Sequence, residues 1–282
     1  MYAPAAMKDG LIISGLSLLP RRWVSRMMGV FGRTRFPGWF RTQFLRWYVG
    51  HYGVDLEEAA EPLSAYPTIV DFFTRALKPG ARPICSAEDS LVSPADAKVY
   101  ALGTIIDGRL PQAPEMDYAV SDLLAGDSRY DGGEFAVLYL SPKDYHRVHS
   151  ARGGEVLSYR YRRGALWPVF PAATRKVRDL FARNERLIVE QRSPGLGEFS
   201  SVLVGAFGVG RMKAVFTDLV TNTSATSCDS VLDPTFAIGR GEEIGRFEMG
   251  STVILILPAG SVSWEVAAGS DVRVGQRIAK VL

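Results

Sequence analysis

Gly241-Glu242-Glu243-Ile244-Gly245-Arg246-Phe247-Glu248-Met249-Gly250-Ser251-Thr252 runs without a break into Val253-Ile254-Leu255-Ile256-Leu257-Pro258. The second stretch, apolar until its closing proline, reads as a buried β-strand. One serine, preceded by glycine, stands at the mouth of that strand. A serine so placed can attack an incoming substrate, or it can attack the carbonyl just before it in its own backbone. The first route wants a G-x-S-x-G elbow, and Met249 and Val253 stand where the two glycines would be. Self-attack asks only for a small preceding residue, here Gly250, and a base for the hydroxyl proton. Taken alone, Gly250-Ser251-Thr252 is an ordinary turn before a strand. The rest of the chain decides between these readings.

Upstream of this stretch, after Pro83, short β-like runs alternate with Gly, Pro and Asp: residues 93–102, 134–140, 155–162, 186–191, 200–209 and 212–216, with 253–256 and 262–266 after it. Helical interruptions are expected at 120–125 and around 174–182. A further helix is expected over 69–77, capped by Thr68 and stopped at Lys78-Pro79-Gly80. Near the end an echo appears. Residues 238–247 and 272–281 share a glycine, two polar residues, isoleucine, a small residue, a cation and an apolar residue. Each reads as a strand, a glycine turn and a second strand, as in lipoyl-like folds. The expected class is therefore α+β, with a mainly antiparallel β core of sandwich or barrel type and N-terminal amphipathic helices.

Those helices carry an unusual charge. The whole chain has a net charge of only +3, yet residues 1–50 contain Lys8, Arg21, Arg22, Arg26, Arg33, Arg35, Arg41 and Arg46 against the single acid Asp9. Trp23, Trp39 and Trp47, three of the five tryptophans, are interleaved with these cations at helical spacing. The apolar run Leu11 to Leu19 is shorter than the roughly 20 residues that span a bilayer. Segment 1–60 is thus expected to lie on an anionic membrane surface, with docking on the protein's own core as the competing reading. No nucleic-acid module is recognisable, so nucleic acid is not an expected partner. Residues 61–282 form the expected catalytic domain.

The chain has only three histidines, and two of them, His146 and His149, stand together in Tyr139-Leu140-Ser141-Pro142-Lys143-Asp144-Tyr145-His146-Arg147-Val148-His149. No third ligand follows by spacing, so a metal is not expected. Cys85 and Cys228 are far apart and suggest neither a disulfide framework nor a metal site. Asp96, in Ser93-Pro94-Ala95-Asp96, is a candidate orienting carboxylate, although spacing does not choose among the acids.

These segments, with Phe72-Phe73-Thr74-Arg75-Ala76-Leu77-Lys78-Pro79-Gly80-Ala81-Arg82-Pro83-Ile84, Leu180 to Arg186 and Gly245 to Thr252, together resemble phosphatidylserine decarboxylase of the bacterial membrane-associated type, in one order from about His51 to the end. The resemblance implies self-cleavage between Gly250 and Ser251 into a beta chain, 1–250, and an alpha chain, 251–282. Ser251 would become a pyruvoyl group, the covalent cofactor, with Asp96 and His149 completing the self-processing triad. His146 would serve decarboxylation and Tyr139 would help bind the substrate. That substrate is phosphatidylserine, turned into phosphatidylethanolamine through a Schiff base to the pyruvoyl ketone, an electron sink comparable to pyridoxal phosphate. The implied place is the cytoplasmic face of the bacterial inner membrane, with room for a homodimer. Three features depart from the family: Ala97 stands for the usual glycine, Met249 for the usual leucine, and Gln112 to Tyr118 lacks the usual Lys-Gly pair.

Two other readings use the same residues. A serine hydrolase would employ Asp96, His149 and Ser251 without self-cleavage. A lipoyl-like carrier would need a modifiable lysine in a hairpin, which Gly250-Ser251-Thr252 does not offer.

Overall fold

The computed structural model describes residues 21–208, 210–248 and 251–282, and both the apolar run Leu11 to Leu19 and Gly250, after which cleavage is expected, lie outside the described residues. The strand that opens at Ser251 is the middle of the molecule. Labelled β13, it spans Ser251–Ala259 and pairs antiparallel with β5 (Gly133–Leu140) on one side and β9 (Gly197–Gly205) on the other. The full sheet has eight strands in the order β11-β7-β8-β9-β13-β5-β2-β15, where β2 is Ala97–Thr104, β7 Gly154–Arg162, β8 Arg186–Ser193, β11 Cys228–Ile238 and β15 Asp271–Val272. It is an open sheet and does not close into a barrel.

The run 253–257 is apolar throughout because β13 is covered on both faces. Val253, Leu255 and Leu257 enter one core, while Ile254 and Ile256 enter the other. Successive strand side chains point to opposite faces, so a strand between two cores loses its polar alternation. Each of these side chains contributes roughly 1.5–3 kcal/mol by leaving water.

Two small sheets cover the first face. One is β1 (Ser90–Val92), β16 (Arg277–Val281) and β14 (Val262–Trp264); the other is β10 (Met212–Ala214), β12 (Glu243–Phe247) and β6 (Arg147–His149). The second face carries the hairpin β3–β4 (Arg109–Ala113, Met116–Ala119) and the short helices α4 (Val120–Leu123), α5 (Pro171–Thr174) and α6 (Leu180–Arg183). The helix expected around 174–182 is thus two helices, broken where Asp179 takes a left-handed φ of 54°. Helix α3 (Ile69–Phe73) has the expected cap, with Thr68 Oγ1 accepting from Asp71 N at 3.1 Å, but ends four residues early. The hairpin and β11 were not expected. β11 alternates polar residues and contains Pro234, which an edge strand tolerates because it needs no ladder donor there.

The echo is real in three dimensions. Gly241 and Gly275 turn the chain with φ of 78° and 82°, and a Cβ on either would meet Ile84 Cδ1 at 2.6 Å. The two strand–turn–strand units close on the same isoleucine.

Helix α1 (Arg21–Arg33) places its cations against the protein. Arg22 pairs with Glu185 at 3.2 Å, Arg26 donates to the Thr223 carbonyl at 2.7 Å, Arg33 pairs with Glu248 at 2.7 Å, and Arg21 stacks on Trp167. Ser25 and Gly32 are buried in the contact. The outward face carries Trp23, Met27, Val30 and Phe31, with Trp23 62% exposed. Helix α2 (Gly38–Tyr52) buries Leu45 and Tyr48 against Phe72 and Phe73 of α3, and turns Trp39 and Trp47 outward, 77% and 56% exposed. One side of this segment docks on the protein, and the other exposes large apolar side chains. Among the described residues no helix is long and apolar enough to cross a membrane.

Candidate active site

Ser251 pairs with Leu140 of β5 and Gly205 of β9, the last residues of those strands. Three strand ends therefore meet at one point, where two loops leave the sheet. A pocket of about 190 Å³ opens there, lined by Ser251, Tyr139, Tyr48, Phe73, Phe170 and Gly208 among others. Its wall is mostly apolar. Ser251 is fully buried and its Oγ has no hydrogen-bond partner, nor has Thr252 Oγ1 beside it. A buried hydroxyl left unpaired costs about 1–3 kcal/mol, so such a group marks a place where something other than packing is served.

His146 stands on the loop that leaves β5. Ser141 closes that loop, its N–H and its hydroxyl both donating to Asp144 Oδ2 at 2.7 Å. The Asp144 carbonyl accepts from His146 Nδ1 at 2.7 Å, which leaves the lone pair on Nε2, buried and without a partner. Burial pushes the imidazole down to about 3; the Asp144 bond opposes this and the nearby Arg75 charge adds to it. His146 is therefore neutral at physiological pH. Its ring lies 4.0 Å from that of Phe73, which itself lines the Ser251 pocket.

His149 ends β6. Its Nδ1 donates to the Gly241 carbonyl at 2.8 Å, and its Nε2 accepts from the Tyr145 hydroxyl at 3.2 Å. Burial lowers its pKa, against the opposing pull of Gly241, Glu243 and Asp96. The expectation that Asp96 holds the tautomer needs correcting, because the Gly241 carbonyl does so. Asp96 is instead gripped by the guanidinium of Arg82, with Nε at 2.9 and 3.0 Å from its two oxygens, and accepts from Val274 N at 2.9 Å. Its carboxylate is committed to that pair and acts on His149 only through its charge. The two segments are nonetheless joined by backbone, since His149 N donates to the Pro94 carbonyl at 2.8 Å.

Strand register orders the histidines relative to the serine. Along β12, Glu243 faces His149, Arg246 faces Arg147, and Phe247 N bonds to the His146 carbonyl at 3.0 Å. Moving toward Ser251 the chain thus passes His149 first and His146 last, about 10 Å apart at the rise of an extended strand. Tyr139, which pairs with Thr252, lines the pocket.

Gly241, Tyr145, Phe73 and Tyr48 were not foreseen as parts of the site. A backbone carbonyl has no sequence signature, and an aromatic side chain reads the same whether it fills a core or lines a pocket. Arg82 stood in a quoted segment, next to a proline, with nothing to say which acid it would meet.

The sequence profile of the phosphatidylserine decarboxylase family matches residues 69–280. A phosphatidylserine decarboxylase proenzyme of Anaeromyxobacter sp. (strain K) is 42% identical over 278 residues, covering 96% of this chain and 98% of its own length. The proenzyme of the same name from Brevibacillus brevis is 40% identical, covering 93% and 94%, and that of Marinobacter nauticus 37% identical, covering 98% and 99%.

Proposed function

The chain belongs to the phosphatidylserine decarboxylase family, and on that premise we propose that it converts phosphatidylserine to phosphatidylethanolamine with a pyruvoyl group made from its own Ser251. The observation that carries the reading is the buried, unpartnered Ser251 hydroxyl at the edge of an apolar pocket, one residue after a glycine.

In the maturation we propose, Ser251 Oγ attacks the Gly250 carbonyl carbon, its proton passes to an imidazole, and the peptide nitrogen leaves as an amine, so that an ester replaces the amide. Loss of the Ser251 α-proton then expels the Gly250 carboxylate. The dehydroalanine left behind tautomerises to an imine, and water replaces its nitrogen, releasing ammonia and leaving a ketone. The residues fit this outcome: β13 clamps position 251 between two strands, so the cut does not free the new end from the sheet. Once formed, the ketone supplies an electron sink for the pair released with carbon dioxide.

The chain's own groups supply the rest. We assign His149, charged against by Asp96, to self-processing, and His146 to positioning the headgroup carboxylate or returning a proton to carbon. What supports His146 is its free, buried Nε2 and its contact with a pocket residue. Tyr139 and Phe73 keep the carboxylate's surroundings apolar, which favours loss of a charged group as neutral gas. Residues 1–60 are assigned to peripheral binding at the cytoplasmic membrane face, where the anionic lipid is found, and 61–282 to catalysis.

The test is intact mass. Self-processing yields pieces of 1–250 and 251–282, the smaller lighter by one ammonia than a serine-initiated peptide and closed to Edman chemistry. An active preparation consisting of one uncut chain would favour the hydrolase reading with the same residues.

A further inference from the structure

Pro142, Lys143 and Asp144 follow one another in the loop that leaves β5, and each of their carbonyls accepts from a different side chain. Tyr48 of α2 donates its hydroxyl to the Pro142 carbonyl at 2.7 Å. Arg75, two residues beyond α3, donates Nη2 to the Lys143 carbonyl at 3.1 Å. The third donor is His146 itself, through Nδ1 to the Asp144 carbonyl at 2.7 Å. The carbonyl that fixes the imidazole tautomer is thus the last of three in a row, and the two before it are held by α2 and by the segment after α3. The Nδ1 of His149 is fixed from outside this loop, by the Gly241 carbonyl.

Arg75 is an unusual strut. It is 4% exposed, and its Nε and Nη1 are buried without an acceptor. Asp96 and Asp144 act on it through their charge, without a hydrogen bond, and its guanidinium lies over the Phe72 ring at 5.2 Å. A buried charge without an ion-pair partner destabilises a fold, and an apolar side chain of similar length would pack there without that cost. What the guanidinium adds is its bond to Lys143. The neighbouring contacts run the same way. The Tyr48 ring lies 6.4 Å from that of Phe73, which meets His146, and Arg147 Nε donates to the Thr74 carbonyl at 3.0 Å. Residues 73, 74 and 75 therefore meet 146, 147 and 143.

We propose that Arg75 and Tyr48 are positioning residues for His146. By holding the Lys143 and Pro142 carbonyls they fix where its unpartnered Nε2 stands, and they serve decarboxylation rather than self-cleavage. This rests on the decarboxylase reading and on the assignment of His146 to that step.

Two measurements on the full chain test it. Nitrogen-15 labelling of histidine gives three imidazoles to follow, with His146→Gln identifying one of them. Turnover of phosphatidylserine in detergent mixed micelles gives kcat and KM after maturation. Arg75→Met and Tyr48→Phe are expected to cleave within about twofold of the parent rate. Their kcat should fall by about tenfold with KM within about twofold, the signature of a displaced group rather than a lost substrate contact. In both variants the His146 signals should shift while those of His149 stay. Tyr48→Phe changes no charge, so its shift reports geometry. Arg75→Lys, which can still donate to the Lys143 carbonyl, should recover most of kcat. The urea midpoint of Arg75→Met should be unchanged or higher, because an unpaired buried charge is gone. Unchanged kcat in either variant would overturn the proposal, as would His146 signals that do not move. So would a raised KM at constant kcat, which would place the side chain on the substrate. Loss of cleavage or stability in step with turnover would overturn it too, by making both residues mere supports of the fold. A parent chain that decarboxylates nothing would remove the decarboxylase reading, while the imidazole signals would still decide whether Arg75 and Tyr48 hold the ring.

Discussion

The ring of Phe73 lies 4.0 Å from the ring of His146, and the same phenylalanine lines the pocket that contains Ser251. The last residue of α3 thus carries the hydrophobic environment that keeps the imidazole dry, and that dryness has a measurable consequence. Burial holds His146 at about 3 in the folded protein, against 6.5 in the unfolded chain. Between those values the unfolded state takes up a proton that the folded state refuses. Stability must therefore fall as pH falls from 6.5 toward 3, by up to about 1.4 kcal/mol per pH unit for this group. His149, shifted in the same direction by burial, adds to the slope. Urea midpoints measured from neutral pH to about pH 5 should drop steadily, and less steeply in His146→Gln. Identical slopes in parent and variant would mean that water reaches the ring.

The two histidines are expected to separate by function. His149→Ala and Asp96→Asn should stop cleavage on a denaturing gel. His146→Ala should cleave and then turn over at least about a hundredfold more slowly, the usual contribution of a positioned acid or base. His146 meets the end of β12 that leads on toward Ser251 in sequence, and the informative contrary result is specific. If His146→Ala alone blocked cleavage, the two roles would be exchanged.

Gly241 and Gly275 offer a matched pair. Alanine at either would hold a left-handed φ and strike Ile84, costing about 1–3 kcal/mol of stability. Only Gly241 also holds His149 Nδ1 through its carbonyl. Gly241→Ala should therefore slow self-cleavage beyond what Gly275→Ala does at equal loss of stability. Parallel effects of both on cleavage would deny the Gly241 carbonyl a part in maturation.

Membrane binding should depend on the outward aromatics more than on charge. Arg22, Arg26 and Arg33 are engaged with the protein, whereas Trp23, Trp39 and Trp47 are exposed. Sedimentation with anionic vesicles should accordingly weaken only modestly with salt, and should fall sharply when Trp23 and Trp47 are both replaced by alanine. A steep salt dependence, on the order of 1 kcal/mol per available cation, would return the binding to electrostatics.

Much of the fold was legible along the chain because it is written in local terms. The unbroken apolar run after Ser251 required a strand covered on both faces, the Thr68 cap is a short-range bond, and the repeated glycine turns follow from backbone sterics. The pair proposed to react was legible too, since Gly250 and Ser251 are covalent neighbours in any conformation. Proximity between distant residues is a different matter. That Arg82 claims Asp96, that a carbonyl at Gly241 fixes His149, that Phe73 rather than a charged group shields His146, and that α1 turns its arginines inward were all decided by the tertiary structure. These pairings depend on which faces the sheet buries and which loops share an end of it. Many acids could have met Arg82 and many carbonyls His149 at similar local cost, and only the packed chain chooses among them.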